Sequence, residues 1–132
     1  MIGLDTNVLV RLLIADNPAQ TEAARRFVHA RCTEASPGFI GNVALVELIW
    51  VLEAAYGYRR KQVAETLDAL LTGPDREFES PEEVRAALDD YRSGEADFAD
   101  CLIGRINRAH GCEATATFDK KAAKLDGFIA VK

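Results

Sequence analysis

The feature that most constrains the fold is an alternation: short runs with strand character are separated by longer stretches in which apolar residues recur at helical spacing. Residues 2–4, 38–41, 76–79, 114–118 and 128–131 read as strands, the third carrying only Phe78 as an apolar residue. Helices are expected over 8–14, from Pro18 onward with Ala23, Ala24, Phe27 and Val28 inward, and over 42–56, 59–71, 81–92 and 98–109, with a short helical segment at 120–125. The punctuation agrees. Asn17-Pro18 supplies a cap and a first-position proline, Asn42 a further cap, Ser80-Pro81-Glu82-Glu83 a helix start with a possible capping box, and Gly57 and Gly111 stops. Strands that alternate with helices in this way predict an α/β fold of three layers, α/β/α, with a central, mainly parallel sheet.

At 132 residues, with no linker, repeat or shift in composition, the chain is expected to form one domain over residues 1–132. The longest apolar stretch, residues 43–52, is ten residues long and contains Glu47, too short for the roughly 20 residues of a membrane span. Residues 1–5 offer no basic segment, apolar stretch or cleavage site, so a cytoplasmic location is expected. The three cysteines, Cys32, Cys101 and Cys112, suit no disulfide framework. His29-x-x-Cys32 and His110-x-Cys112 are too far apart in the chain to suggest a paired zinc site, and buried or half-buried thiols beside helix ends are the simpler reading.

The informative residues are acids in apolar surroundings. Glu47 interrupts an otherwise apolar helix and is expected to be largely buried, where an unpaired carboxylate costs several kcal/mol or is forced neutral. Asp5 and Asp119 stand where strands end, the edge at which open α/β sheets bind ligands. Asp97 and Asp100 share one helix face at i and i+3. Each acid has an ordinary alternative role, as a helix cap, a dipole partner or a partner for Lys120 or Lys121. Converging together they would repel one another unless a cation sat among them, and an all-oxygen set favours Mg²⁺ or Mn²⁺ over zinc.

Asp5-Thr6-Asn7 after an opening strand, Val46-Glu47-Leu48 mid-chain, Ala96-Asp97-Phe98-Ala99-Asp100, and Thr117-Phe118-Asp119 near the end resemble, in this order, the PIN-domain nucleases, and more closely the VapC-type toxins of bacterial toxin–antitoxin pairs. The resemblance implies that Asp5, Glu47, Asp100 and Asp119 are catalytic metal-binding acids, with Asp97 an auxiliary ligand and Thr6, Asn7 and Thr117 polar neighbours. It also implies an endoribonuclease that cuts structured RNA such as tRNA or rRNA and so stops translation, a cognate antitoxin, and a homodimer. One or two divalent ions held by such acids would activate water for in-line attack on a phosphodiester. That chemistry makes no use of the 2′-hydroxyl and so does not by itself distinguish RNA from DNA.

A polyanionic substrate needs basic residues at the rim, and the candidates are Arg59, Arg60, Lys61, Arg105, Arg108, Lys120, Lys121 and Lys124. Leu12, Leu13, Trp50 and Tyr56 read mostly as core, with part of this apolar excess available to a dimer or antitoxin surface. The net charge of −5 argues against a general nucleic-acid coat, but with the five proposed acids set aside the remaining acids and bases balance at 16 each. Competing readings fit less well. A haloacid dehalogenase-like phosphatase needs Asp-x-Asp where this chain has Asn7, and a receiver-like signalling module needs its mid-chain acid at a strand end. A stand-alone PIN nuclease of RNA processing remains the nearest alternative, whereas a metal-dead RNA-binding PIN domain would lack some of the acids.

Overall fold

Every strand pairing in the computed structural model, which describes residues 1–132, is parallel, as the alternation of short apolar strands with helices predicts. The chain is α/β. Its strands are divided between two sheets and its residues between two units, residues 1–59 with 69–79 and residues 60–68 with 80–132.

In the first unit β1 (Ile2–Gly3), β2 (Gly38–Ile40) and β3 (Arg76–Phe78) form a sheet in that order, with Ile2 opposite Gly38 and Gly38 opposite Arg76. Between the strands run α1 (Thr6–Leu13), α2 (Pro18–Arg31) and α3 (Asn42–Ala54). Asn17 starts α2 as read from the sequence, its Oδ1 accepting from the Gln20 N–H at 3.2 Å with Pro18 in the first turn. Gly38 is fixed by packing, because a Cβ there would lie 2.8 Å from Leu4 Cδ1 and 3.1 Å from Cys32 Sγ. Leu45, Leu48, Ile49 and Leu52 form the buried face of α3, each contributing roughly 1.5–3 kcal/mol relative to exposure. Gly57, at φ +66°, turns the chain out of that helix, and the Tyr58 N–H donates back to Leu52 O at 2.9 Å.

Helix α4 (Arg60–Thr72) supplies residues 60–68 to the second unit, which continues with α5 (Pro81–Ser93), α6 (Phe98–Ala109), β4 (Thr115–Thr117) and β5 (Phe128–Ala130). Val84, Ala87, Leu88 and Tyr91 of α5 are buried, as are Phe98, Cys101 and Leu102 of α6. The Tyr91 and Phe98 rings meet edge to face at 5.9 Å. Arg105 grips Asp90 with both prongs, Nε to Oδ2 at 2.7 Å and Nη2 to Oδ1 at 2.8 Å, clamping α6 to α5. A two-stranded sheet is marginal alone. Here β5 is anchored by Phe128, whose ring lies so close over Gly104 of α6 that a methyl group at position 104 has no room. That contact holds the β4–β5 pair, and the Asp119 that follows β4, against the helix carrying Asp100.

Several local expectations are corrected. The inner face of α2 is Thr21, Ala24 and Val28, at i, i+3 and i+7; Ala23 is exposed and so is Phe27, beneath the Arg31 guanidinium at 5.6 Å. Asn42 is the first helical residue of α3 rather than its cap, and its N–H donates to Glu79 Oε1 at 2.9 Å. A carboxylate at the end of β3 thus does the capping. Ser80 stands at the cap position of α5 without a side-chain capping bond, and Glu82 and Glu83 supply the negative charge that the helix start favours. Trp50 and Val43 are not core: they are 66% and 84% exposed, because the helical period that turns Leu45, Leu48, Ile49 and Leu52 inward turns residues 43, 47 and 50 outward. Leu12, Leu13 and Tyr56 are half-buried.

Candidate functional site

In the second unit the charges of two acids, Asp97 and Asp119, bear on a third, Asp100. Asp97 is the cap residue of α6, but its side chain makes no capping bond, which leaves the carboxylate free beside the helix start. Asp100 lies half-buried in the first turn of the same helix. Burial pushes its carboxyl above the ordinary aspartate range, and the charges of Asp119 and Asp97 push it further. The helix dipole favours the charged form there by only a few tenths of a kcal/mol and is outweighed. Asp119 is set by a small turn: Thr117 Oγ1 accepts from the Asp119 N–H at 3.0 Å, and Asp119 Oδ1 accepts from the Ala122 N–H at 2.8 Å. Asp119 is exposed.

In the first unit Asp5 caps α1, its Oδ1 accepting from the N–H groups of Asn7 at 2.9 Å and Val8 at 3.3 Å. Asp5 thus performs the ordinary role of an acid before a helix. The cap uses one carboxylate oxygen, and the main-chain N–H of Asn7 makes the shorter of its two bonds. Glu47 differs from expectation: it is exposed, on the outward face of α3 between Val43 and Trp50, so no burial penalty acts on it. An all-apolar sequence around an acid does not establish which side of the helix is covered.

Within neither unit are three or more His, Cys, Asp or Glu side chains arranged closely enough to hold a metal ion as they stand. The donor chemistry of the second unit nevertheless suits a hard cation. Asp97, Asp100 and Asp119 are oxygen donors; burial raises Asp100 and the charges of Asp119 and Asp97 add to it, and a divalent ion is the counter-charge that would relieve that repulsion.

The family model for the PIN domain matches residues 2–128. The chain belongs to the PIN-domain family. It is also 25% identical over 128 residues to a VapC ribonuclease of Aquifex aeolicus (strain VF5), an alignment covering 97% of this chain and 93% of that protein.

The basic residues of this PIN domain divide by what they already touch. Arg60 and Arg105, expected at a phosphate-binding rim, have their guanidinium groups turned to protein, Arg60 to main-chain carbonyls of Tyr91, Glu95 and Ala96 and Arg105 to Asp90. Arg108 makes a long contact to Asp126, 3.4 Å, at the surface. Arg59, Lys61 and Lys124 are exposed. Lys120 and Lys121 line an open cavity of about 280 Å³ together with Asp97 and Asp119. Sequence reading missed two anchors. Glu79 had a local signal, an acid directly after a strand, whereas the Arg60 contacts span more than thirty residues and leave none.

No helix of this PIN domain is long and apolar enough to cross a membrane. Cys32 and Cys101 are buried and Cys112 is exposed. Burial, with Asp90 adding to it, pushes the Cys101 thiol up to about 11. Brief iodoacetamide treatment of the native protein at pH 8, read by mass spectrometry, is expected to modify Cys112 alone, with Cys32 and Cys101 reacting only after denaturation. Rapid labelling of Cys101 in the folded protein would contradict its burial.

Proposed function

We propose that this PIN domain is a divalent-metal-dependent endoribonuclease acting as the toxin of a toxin–antitoxin pair, cutting structured RNA such as tRNA or rRNA and thereby inhibiting translation in the cytoplasm. The observation that carries the reading is the placing of Asp97, Asp119, Lys120 and Lys121 around one open cavity, with the carboxyl of half-buried Asp100 raised by burial and by the charges of Asp119 and Asp97. The likeness to a VapC ribonuclease supports it.

The proposed metal-binding and catalytic acids are Asp5, Glu47, Asp100 and Asp119, with Asp97 as an auxiliary ligand. When bound, one or two Mg²⁺ or Mn²⁺ ions supply charge neutralisation and a water of lowered pKa. The reaction is in-line attack of water on an internal phosphodiester, which forms one P–O bond, breaks the bond to O3′, and leaves a 5′-phosphate and a 3′-hydroxyl. Thr117 holds the turn that aims Asp119, the Asn7 amide holds Asp5, and Thr6 is a polar neighbour. Lys120 and Lys121, with Arg59, Lys61, Arg108 and Lys124 further out, bring phosphate to an otherwise acidic surface. The exposed Val43 and Trp50 are the proposed surface for a cognate antitoxin or a second copy in a homodimer.

Purified protein is expected to cleave structured RNA with Mg²⁺ or Mn²⁺ and to stop when the metal is chelated. Cleavage that persists in chelator would reject the metal mechanism. Expression is expected to arrest growth, and relief of the arrest by a small co-expressed protein separates a toxin from an RNA-processing nuclease.

A further inference from the structure

Helix α5 ends without a main-chain cap: Gly94 follows it in extended backbone, and no N–H of the turn returns to the last carbonyls. A side chain from elsewhere in the sequence takes that place. Arg60, at the start of α4, donates from Nε and Nη2 to Tyr91 O at 3.2 and 2.9 Å, from Nη2 to Ala96 O at 2.5 Å, and from Nη1 to Glu95 O at 3.4 Å. Its guanidinium carbon also stacks 3.9 Å from the centroid of the Tyr91 ring, which is fully buried. One planar group thereby fixes both ends of the connection that joins α5 to α6. Asp97 is the next residue after Ala96, and Phe98, which packs on Tyr91, is the first residue of the helix carrying Asp100.

We infer that Arg60 is a positioning residue: it locks the 94–97 connection so that Asp97 and Asp100 stand where the site needs them, rather than contacting RNA. The inference rests on the metal-dependent nuclease reading above. Its physical basis is the shape of the donor. Three carbonyls are met by a rigid planar fork, which a lysine, with one flexible ammonium, cannot reproduce although it keeps the charge. Carbonyls left without Arg60 would be re-solvated, and the connection would loosen while the ladder between β4 and β5, held by its own bonds and by Phe128, would not.

The test uses the full chain with Arg60→Met and Arg60→Lys, Arg60→Met keeping the apolar stem and losing every donor. Without metal, amide hydrogen exchange over residues 94–101 is expected to speed up by about tenfold or more in Arg60→Met, with residues 115–117 and 128–131 unchanged. Mn²⁺ affinity, read by electron paramagnetic resonance of free Mn²⁺, is expected to fall about 10–100-fold, the usual effect of removing a group that orients metal ligands. Excess Mn²⁺ should recover RNA cleavage in Arg60→Met but not in Asp100→Asn, a pattern that mere loss of folded protein does not produce. If Arg60→Met fails to fold, Arg60→Lys carries the same comparisons. Unchanged exchange over 94–101, or wild-type Mn²⁺ affinity in a folded variant, would overturn the role of Arg60. A wild-type protein that neither binds Mn²⁺ nor cleaves RNA overturns the nuclease reading instead, and the metal-free exchange then decides whether Arg60 holds the connection.

Discussion

Replacing Asp100 by Asn is expected to lower RNA cleavage by about 10³-fold and, in the same variant, to raise the melting temperature of the metal-free protein at pH 7. The two effects have opposite signs for one reason. Burial and the charges of Asp119 and Asp97 raise the Asp100 carboxyl above its ordinary value of 3.8, so the folded state holds that proton more tightly than the unfolded chain does. By linkage, stability falls as pH rises from the unfolded value through the raised one, and the deficit persists at neutral pH. Asn is close to isosteric and carries no charge, so the deficit disappears. Melting curves in chelator should therefore favour Asp100→Asn at pH 7 and converge with wild type near pH 3.5, below both values. Adding Mg²⁺ should reverse the order, since bound cation stabilises only the protein that binds it. A variant that melts below wild type at pH 7, or that keeps its cleavage activity, would remove Asp100 from the proposed centre.

The elements were legible in the sequence because their signals are local: Asn17-Pro18 opens α2, Gly57 closes α3, and strands β1, β2, β4 and β5 fall inside the short runs read as such. Even β3, with Phe78 as its only apolar residue, falls where expected, because it adds to β2 in parallel register and Phe78 alone needs to be buried. The division of the strands between two sheets was not legible, since alternation predicts parallel pairing but not which strands pair. Burial around Glu47 was misread for a related reason. A helix apolar on all sides has no periodic signal to separate its covered face from its open one, and the open face of α3 carries Val43, Glu47 and Trp50.

Among the site residues, the order of the acids along the chain was visible, but their electrostatics was not. The shift of Asp100 comes first from its burial and then from Asp119, which arrives through β4 and the seating of Phe128 over Gly104, a contact between residues that no short motif links. The basic residues show the same limit. Composition offers eight candidate phosphate contacts, and only the structure separates Lys120 and Lys121, beside the acids, from Arg60 and Arg105, which are committed to holding α5 and α6.

Asp5 provides the sharpest separation of structural from chemical work, because the ordinary role assigned to an acid before a helix is one that it does perform. Both capping bonds go to Oδ1, and in the proposed site it is the charge of the carboxylate that meets a cation. Asn caps as well as Asp does, so Asp5→Asn should keep the cap through its amide oxygen and leave stability within a few tenths of a kcal/mol. Asp5→Ala loses the cap and should cost about 1 kcal/mol, a fall of about 3–5 °C in melting temperature for a chain of this size. Both variants remove the charge and should lose about 10³-fold in cleavage, so activity and stability are expected to part company in one and fall together in the other. Melting curves and cleavage rates on the same preparations check this. If Asp5→Asn cleaved RNA at the wild-type rate, the cap would be the whole function of Asp5. If both variants lost activity equally while only Asp5→Ala lost stability, the negative charge at position 5, and not the shape of the helix start, would be what the reaction requires.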